Sequence, residues 1–131
     1  MFRKALIMAS LCGLAGVVFG AFGAHKLKDI VGVDELQIWN KGVLYQFIHV
    51  FAIFVVALLA KIKFEKILNL SFYFFSFGIL LFSGSLYVLT FHEKLPALKN
   101  VGPITPIGGT LFIAGWIGVF IYALKIKKDD N

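Results

Sequence analysis

Charged residues are scarce in this sequence, and four long stretches contain none. Asp, Glu, Lys and Arg make up only 15% of the 131 residues, whereas 60% are hydrophobic, and the mean hydropathy is +0.89. A soluble domain of this length carries more charge than this on its surface. The composition therefore excludes an ordinary soluble domain and predicts a single integral membrane domain over residues 1–131.

Cysteine is nearly absent as well. Cys12 is the one cysteine, which excludes an intrachain disulfide, a CxxC redox centre and a cysteine zinc site. It lies in an apolar stretch, so we expect a packing role for it. That stretch also lacks the carboxylate that a proton-coupled exporter of the small multidrug type needs in its first span.

The four uncharged stretches predict transmembrane helices at residues 5–24, 42–60, 67–90 and 105–124. The third stretch has no charge over 24 residues, and as an α-helix it spans about 36 Å, more than a hydrocarbon core of about 30 Å. Arg3 and Lys4 precede the first stretch as in a signal peptide, but its apolar run is longer than a typical h-region. The predicted fold is all-α: an antiparallel bundle of four transmembrane helices.

Capping residues predict where two helices begin. Asp34 is a plausible N-cap for a helix that starts outside the bilayer, and Glu35 then suits the helix dipole. Thr105 as N-cap with Pro106 at the first helical position is typical of a helix start.

The basic residues predict the orientation and the polar partners of the chain. Eight Lys and Arg residues lie at the termini and in the second loop, against five in the first and third loops. The positive-inside rule therefore predicts that both termini are cytoplasmic. The net charge of +6 comes from short clusters beside apolar runs and builds no basic face, so we expect anionic membrane lipids as partners and no nucleic acid.

Small residues recur on one face of the first span at intervals of three and four. Such a seam lets another backbone approach closely, within the chain or in a neighbouring protein, and the sequence does not choose between the two. Glycines on the third and fourth spans are predicted to serve helix packing in the same way. The predicted packing glycines are Gly13, Gly16, Gly20, Gly23, Gly84, Gly108 and Gly115.

Polar residues form stripes on the second and third spans. Asn69, Ser76, Ser83 and Thr90 are seven residues apart on the third span, with Tyr87 beside them. In an antiparallel bundle, this stripe meets the polar start of the second span in the half that faces away from the basic side. We therefore predict a polar pocket in the outer half of the bundle. Its candidate residues are His25, Tyr45, Gln46, His49, Ser83, Tyr87, Thr90 and Thr105.

Each pocket residue also has a purely structural interpretation. Ser and Thr in membrane helices often bond a carbonyl one turn back, and interhelical hydrogen bonds there contribute only about 0.6 kcal/mol on average. His49 is the sharpest functional candidate, because an ionisable group within a span marks a site by default. A neutral His49 bonded to Ser83 or Tyr87 would nevertheless fill the core without further function.

The sequence gives little support for a catalytic or cofactor site. His25 and His49 approach a common level on adjacent helices, which makes them candidates for the two axial ligands of a b-type haem. Haem ligation, however, requires two imidazoles that face each other across a cofactor-sized gap. A metal site from His25, His49 and His92 has no carboxylate placed beside it. Ser83 with His49 as a base lacks an acid partner and an oxyanion-hole signature. We expect no cofactor, no metal and no enzymatic activity.

Four segments carry a family resemblance. They are Gly20-Ala21-Phe22-Gly23-Ala24-His25, Tyr45-Gln46-Phe47-Ile48-His49, Leu81-Phe82-Ser83-Gly84-Ser85-Leu86-Tyr87, and Thr105-Pro106-Ile107-Gly108-Gly109 with Gly115-Trp116. Together they resemble the YwdK-like family of small bacterial membrane proteins, to which eukaryotic transmembrane protein 256 is similar. The resemblance covers nearly the whole chain and implies four transmembrane helices in the cell membrane. It implies no reaction.

Two functions remain open from the sequence. The first is a structural or accessory membrane component whose polar stripes fix the helix register. The second is a binding protein or carrier that receives a small molecule, a lipid headgroup or an ion in the outer polar pocket. Either could include a homo-oligomer or a membrane protein partner.

Overall fold

The computed structural model describes the backbone of residues 1–129 and the side chains of residues 1–126. Over that range the chain is helical with no strand. The helices are α1 (Phe2–His25), α2 (Val33–Ile62), α3 (Lys66–Gly78), α4 (Gly84–Leu89) and α5 (Ile104–Asp129). A π-helical segment (Ile79–Ser83) joins α3 to α4, and short 3₁₀ turns lie at Leu27–Asp29 and Pro96–Val101.

Four rods are long and apolar enough to cross a membrane. They are α1, α2, the continuous rod formed by α3, the π-helical segment and α4, which we call the third rod, and α5. The all-α prediction with four apolar helices is thereby confirmed over the described residues.

Both helices begin two residues before the predicted start. Helix α2 begins at Val33 with Gly32 as its N-cap, which places Asp34 in the first turn instead of at the cap. Helix α5 begins at Ile104, so that Thr105 and Pro106 lie inside its first turn. Proline is tolerated there because the first amide groups of a helix have no intrahelical acceptor.

Neighbouring rods run antiparallel. Along α1, Gly13 faces Val50 and Gly23 faces Trp39, so rising numbers on α1 meet falling numbers on α2. Helix α2 packs against α1 on one side and against the third rod on the other, and the third rod packs against α5. The apolar core runs through these contacts. It includes Ala5, Ala9, Ile53, Val56, Leu68 and Phe75, all fully buried.

The glycine seam of α1 packs inside the chain, against α2. A Cβ atom on Gly16 would lie 3.0 Å from the Phe47 ring, and one on Gly23 would lie 2.7 Å from the Trp39 ring. Gly13 and Gly20 face Val50 and Val43 at ordinary van der Waals distance. The structure therefore resolves the open choice: this seam brings α1 and α2 together.

Glycines also allow α5 to approach the third rod. A Cβ atom on Gly108 would overlap the backbone of Phe82, and one on Gly115 would lie 2.5 Å from the Phe75 ring. The packing role predicted for Gly84 is wrong, because a Cβ atom there meets nothing within 4 Å. A π-helical segment adds a residue to the turn and rotates the following positions by about 100° relative to an uninterrupted α-helix. Gly84 follows this segment and is turned away from the neighbouring helices.

Candidate ligand groove and interhelical polar contacts

A groove of about 560 Å³ lies between α2, the π-helical segment and α5. Its aromatic walls are Tyr45, His49, Phe82, Phe112 and Trp116. We call it the α2–α5 groove. Its volume falls within the range of about 300–1,000 Å³ that is typical of small-molecule sites, and an apolar lining with a few polar atoms is typical as well.

His49 is a buried polar residue of the groove wall, and its ring is held from several sides. It is only 3% exposed. Its Nδ1 atom lies 2.8 Å from the Tyr45 carbonyl oxygen, and the Trp116 indole donates to Nε2 at 3.3 Å. These two bonds require a neutral imidazole with its proton on Nδ1. The Phe112 ring stacks on the imidazole with centroids 3.3 Å apart and planes inclined by 3°.

Gln46 links three rods at a point on α2 one turn away from His49. Its side-chain amide donates to the Cys12 carbonyl of α1 at 2.6 Å, and its side-chain oxygen accepts from the Tyr87 hydroxyl of α4 at 2.7 Å. The donor and the acceptor of this 3% exposed side chain thus both have protein partners. Gln46 and Tyr87 serve as an interhelical clamp and do not line the α2–α5 groove.

A second polar contact ties α1 to α2 near the loop ends. The Trp39 indole donates to the Phe19 carbonyl at 2.8 Å, and the Trp39 ring also packs against Tyr87 with centroids 4.6 Å apart. Trp39 is only 5% exposed and packs within the bundle.

The hydroxyl residues divide into three environments. Ser85 donates to the Phe82 carbonyl at 2.9 Å and lies 2.7 Å from the Thr105 hydroxyl, which therefore acts as donor to Ser85. Thr90 donates to the Leu86 carbonyl within its own helix at 2.9 Å. The buried Ser83 hydroxyl has no hydrogen-bond partner among the described residues.

The predicted pocket is thus divided among separate places. Tyr45 and His49 line the groove, Gln46 and Tyr87 form the clamp, Thr105 meets Ser85, and Thr90 bonds its own helix. His25 is exposed at the end of α1 and does not join them. His49 bonds Trp116 and makes no bond to Ser83 or Tyr87. The reason is angular: positions three apart on a helix differ by about 60° in direction, so that Gln46 and His49 face different neighbours.

Sequence reasoning did not assign Trp116, Phe112 and Ser85 to a site. A tryptophan in the middle of a span was the available signal, because tryptophan in membrane helices concentrates at the interfaces. Phe112 carried no such signal in a chain with 15 phenylalanines.

The expectation that no carboxylate lies beside the histidines is wrong for His92. Glu35 and Glu93 each place a carboxylate oxygen within 4.8 Å of a ring nitrogen of His92. The fold brings the first turn of α2 next to the loop that follows α4, and sequence spacing could not show this proximity. His25 and His49 are not part of this cluster.

Comparison with known proteins agrees with the membrane architecture. The family described as "Protein of unknown function (DUF423)" matches residues 19–109. The UPF0382 membrane protein of Haemophilus influenzae is 42% identical over 128 residues, covering 98% of this chain and 99% of that protein. The UPF0382 membrane protein YwdK of Bacillus subtilis is 38% identical over 121 residues, covering 92% of this chain and 95% of its own length.

A third relative carries a name that states its location. The UPF0382 inner membrane protein YgdD of Escherichia coli is 36% identical over 127 residues, covering 96% of this chain and 93% of that protein. No solved structure matches significantly. With four candidate spans and relatives that align over nearly its whole length, the chain is a membrane protein that belongs to the DUF423/UPF0382 family, whose function is unknown.

Proposed function

We propose that this protein is a non-enzymatic structural or accessory component of the membrane. The observation that carries the proposal is the use of the polar side chains inside the bundle. Both polar groups of Gln46 and both ring nitrogens of His49 bond to other protein groups. A catalytic base needs an available nitrogen within reach of its substrate, and His49 has neither nitrogen free.

A second candidate function is the binding of a lipid acyl chain, and the α2–α5 groove favours it. The groove opens on the outer surface of the bundle at the depth of the spans, where Ile48 and Ile113 on its walls are 42% and 62% exposed. Its occupant would therefore enter from the bilayer. Aromatic walls with no charged residue suit an apolar chain better than a headgroup or an ion.

Filling the groove should distinguish the two functions. We expect Ile113→Trp to place a large ring in the groove and to lower labelling by a lipid with a photoactivatable acyl chain several-fold. The exposed position leaves the fold intact, because the new ring needs no space in the core. The measurement is mass spectrometry of labelled peptides from protein in lipid nanodiscs.

Ile117→Trp is the matched control. Ile117 is 52% exposed on the same helix, one turn further on, and does not line the groove. The Ile117→Trp variant should be labelled by the photoactivatable lipid to the same extent as the unmodified chain. If the two variants are labelled equally, the groove is ordinary lipid-facing surface, and the structural function stands without a binding function.

We also propose that both termini face the cytoplasm. The excess of basic residues at the termini and in the second loop supports this orientation. In a Cys12→Ser background, we expect Ala97→Cys to react with a membrane-impermeant maleimide in intact cells. Phe64→Cys should react only after permeabilisation. Both positions are exposed in their loops. If Phe64→Cys reacted in intact cells and Ala97→Cys reacted only after permeabilisation, the termini would face away from the cytoplasm.

A further inference from the structure

At the end of the molecule that carries the first and third loops, two carboxylates and one imidazole lie together outside the apolar spans. Glu35 comes from the first turn of α2, and His92 and Glu93 come from the loop that follows α4. One ligand atom from each residue lies within 4.8 Å of those of the other two. The cluster is unrelated to the α2–α5 groove and to the interhelical clamp.

Glu35 is the feature that a solvated acidic surface would not explain. It is only 7% exposed, yet its side chain makes no hydrogen bond and no ion pair with any residue that the structure describes. Because Glu35 lies in the first turn of α2, with one carboxylate oxygen beside Gly32, the helix dipole offsets part of the cost of this burial. No positively charged side chain of residues 1–126 forms an ion pair with it. Glu35 and Glu93 line a cavity of about 70 Å³, and His92 lies beside this cavity, outside its wall. A cation held between the three side chains would compensate further for the burial of Glu35.

His92 is already oriented for such a role. Its Nδ1 atom lies 2.8 Å from the Leu89 carbonyl oxygen, which makes Nδ1 the protonated nitrogen and leaves Nε2 with a free lone pair. Histidines that bind metal ions commonly donate their second ring nitrogen to a backbone carbonyl in this way, which fixes the tautomer and the ring orientation.

We propose that Glu35, His92 and Glu93 bind one divalent cation of the zinc type. An imidazole with two carboxylates suits Zn²⁺ better than Ca²⁺ or Mg²⁺, which prefer oxygen ligands alone. Tetrahedral zinc with ligands about 2.1 Å away separates those ligands by about 3.4 Å. The three ligand atoms, which now lie within 4.8 Å of one another, would have to move to that separation when zinc binds, and the exposed side chain of Glu93 has room to do so. Water completes the coordination.

Lys94 is the competing positive group. It lines the same cavity, but it is exposed and forms no ion pair with Glu35 or Glu93 within residues 1–126. Bound zinc would be repelled by the Lys94 ammonium group. Lys94→Met is therefore expected to tighten zinc binding, and weaker zinc binding by this variant would contradict the proposal.

The test is calorimetric titration of Zn²⁺ into the purified full chain in detergent micelles, with any affinity tag removed. We expect one Zn²⁺ per chain with a Kd on the order of micromolar or tighter. Glu35→Gln and His92→Ala should each weaken binding by about tenfold or more, since even residues that merely support a metal ligand contribute tenfold or more to affinity. Zinc should also raise the Tm of the unmodified chain, because it binds the folded state.

His25→Ala is the matched control, since His25 is exposed at the same end of the molecule and is not part of the cluster. It should bind zinc like the unmodified chain. The proposal would be overturned if the unmodified chain bound no stoichiometric zinc, or if Glu35→Gln and His92→Ala bound zinc as tightly as the unmodified chain. If Glu35→Gln fails to fold, Glu93→Gln decides, because Glu93 is exposed and its replacement leaves the packing unchanged.

Discussion

Gly108→Ala is expected to lower the free energy of unfolding by about 1–3 kcal/mol, the usual cost of overpacking a close contact. A Cβ atom at this position would lie 2.8 Å from the Phe82 Cα atom and closer still to the Phe82 backbone nitrogen. Backbone atoms cannot rotate away as a flexible side chain can, so α5 and the third rod would have to separate. Thermal unfolding in detergent or in nanodiscs measures the loss.

Gly84→Ala is the control for this prediction. Gly84 lies in the third rod, two residues after Phe82, and an added Cβ atom there meets nothing within 4 Å. Alanine is the better helix former by about 0.8–1.0 kcal/mol, so the variant should unfold at the same temperature or higher. Equal destabilisation by the two substitutions would contradict the close approach of Gly108 to Phe82.

Gln46→Leu is expected to lower the free energy of unfolding by about 1–3 kcal/mol. The substitution removes the bonds to the Cys12 carbonyl and to the Tyr87 hydroxyl together. Single interhelical hydrogen bonds in membranes contribute about 0.6 kcal/mol on average and up to about 1.7 kcal/mol, and loss of the shared partner also leaves Tyr87 unsatisfied in an apolar surrounding. Unfolding in a graded series of denaturing detergent mixtures provides the measurement.

A double-mutant cycle with Tyr87→Phe isolates the clamp. Tyr87→Phe alone removes one hydroxyl and should cost less than Gln46→Leu, because the bond from Gln46 to Cys12 remains. After Gln46→Leu, the second substitution should add little, since the hydroxyl no longer has its partner. Strictly additive effects would show that the two side chains do not interact.

The apolar stretches predicted the architecture correctly because their length and lack of charge leave few alternatives to membrane helices. The seam of α1 was predictable for the same reason: Gly16 and Gly23 follow an uninterrupted helical period, and both lie against α2. Which neighbour the seam contacts was not predictable, because a periodic pattern identifies a face and says nothing of the helix opposite.

The predictions failed where the helix departs from regular geometry or where the contact is long-range. Gly84 follows the π-helical segment, whose extra residue no sequence period reveals. The bond between His49 and Trp116 joins residues 67 positions apart. The proximity of Glu35 to His92 likewise depends on how the loops pack. In each case, tertiary packing selected the partner.

The most direct test is nuclear magnetic resonance of the chain in nanodiscs, observing the side-chain amide of Gln46. The antiparallel bundle predicts nuclear Overhauser contacts from that amide to the Tyr87 ring, together with protection from broadening by spin-labelled acyl chains. Contacts from the Gln46 amide to lipid acyl chains, with none to Tyr87, would contradict the placement of the polar side chains inside the bundle.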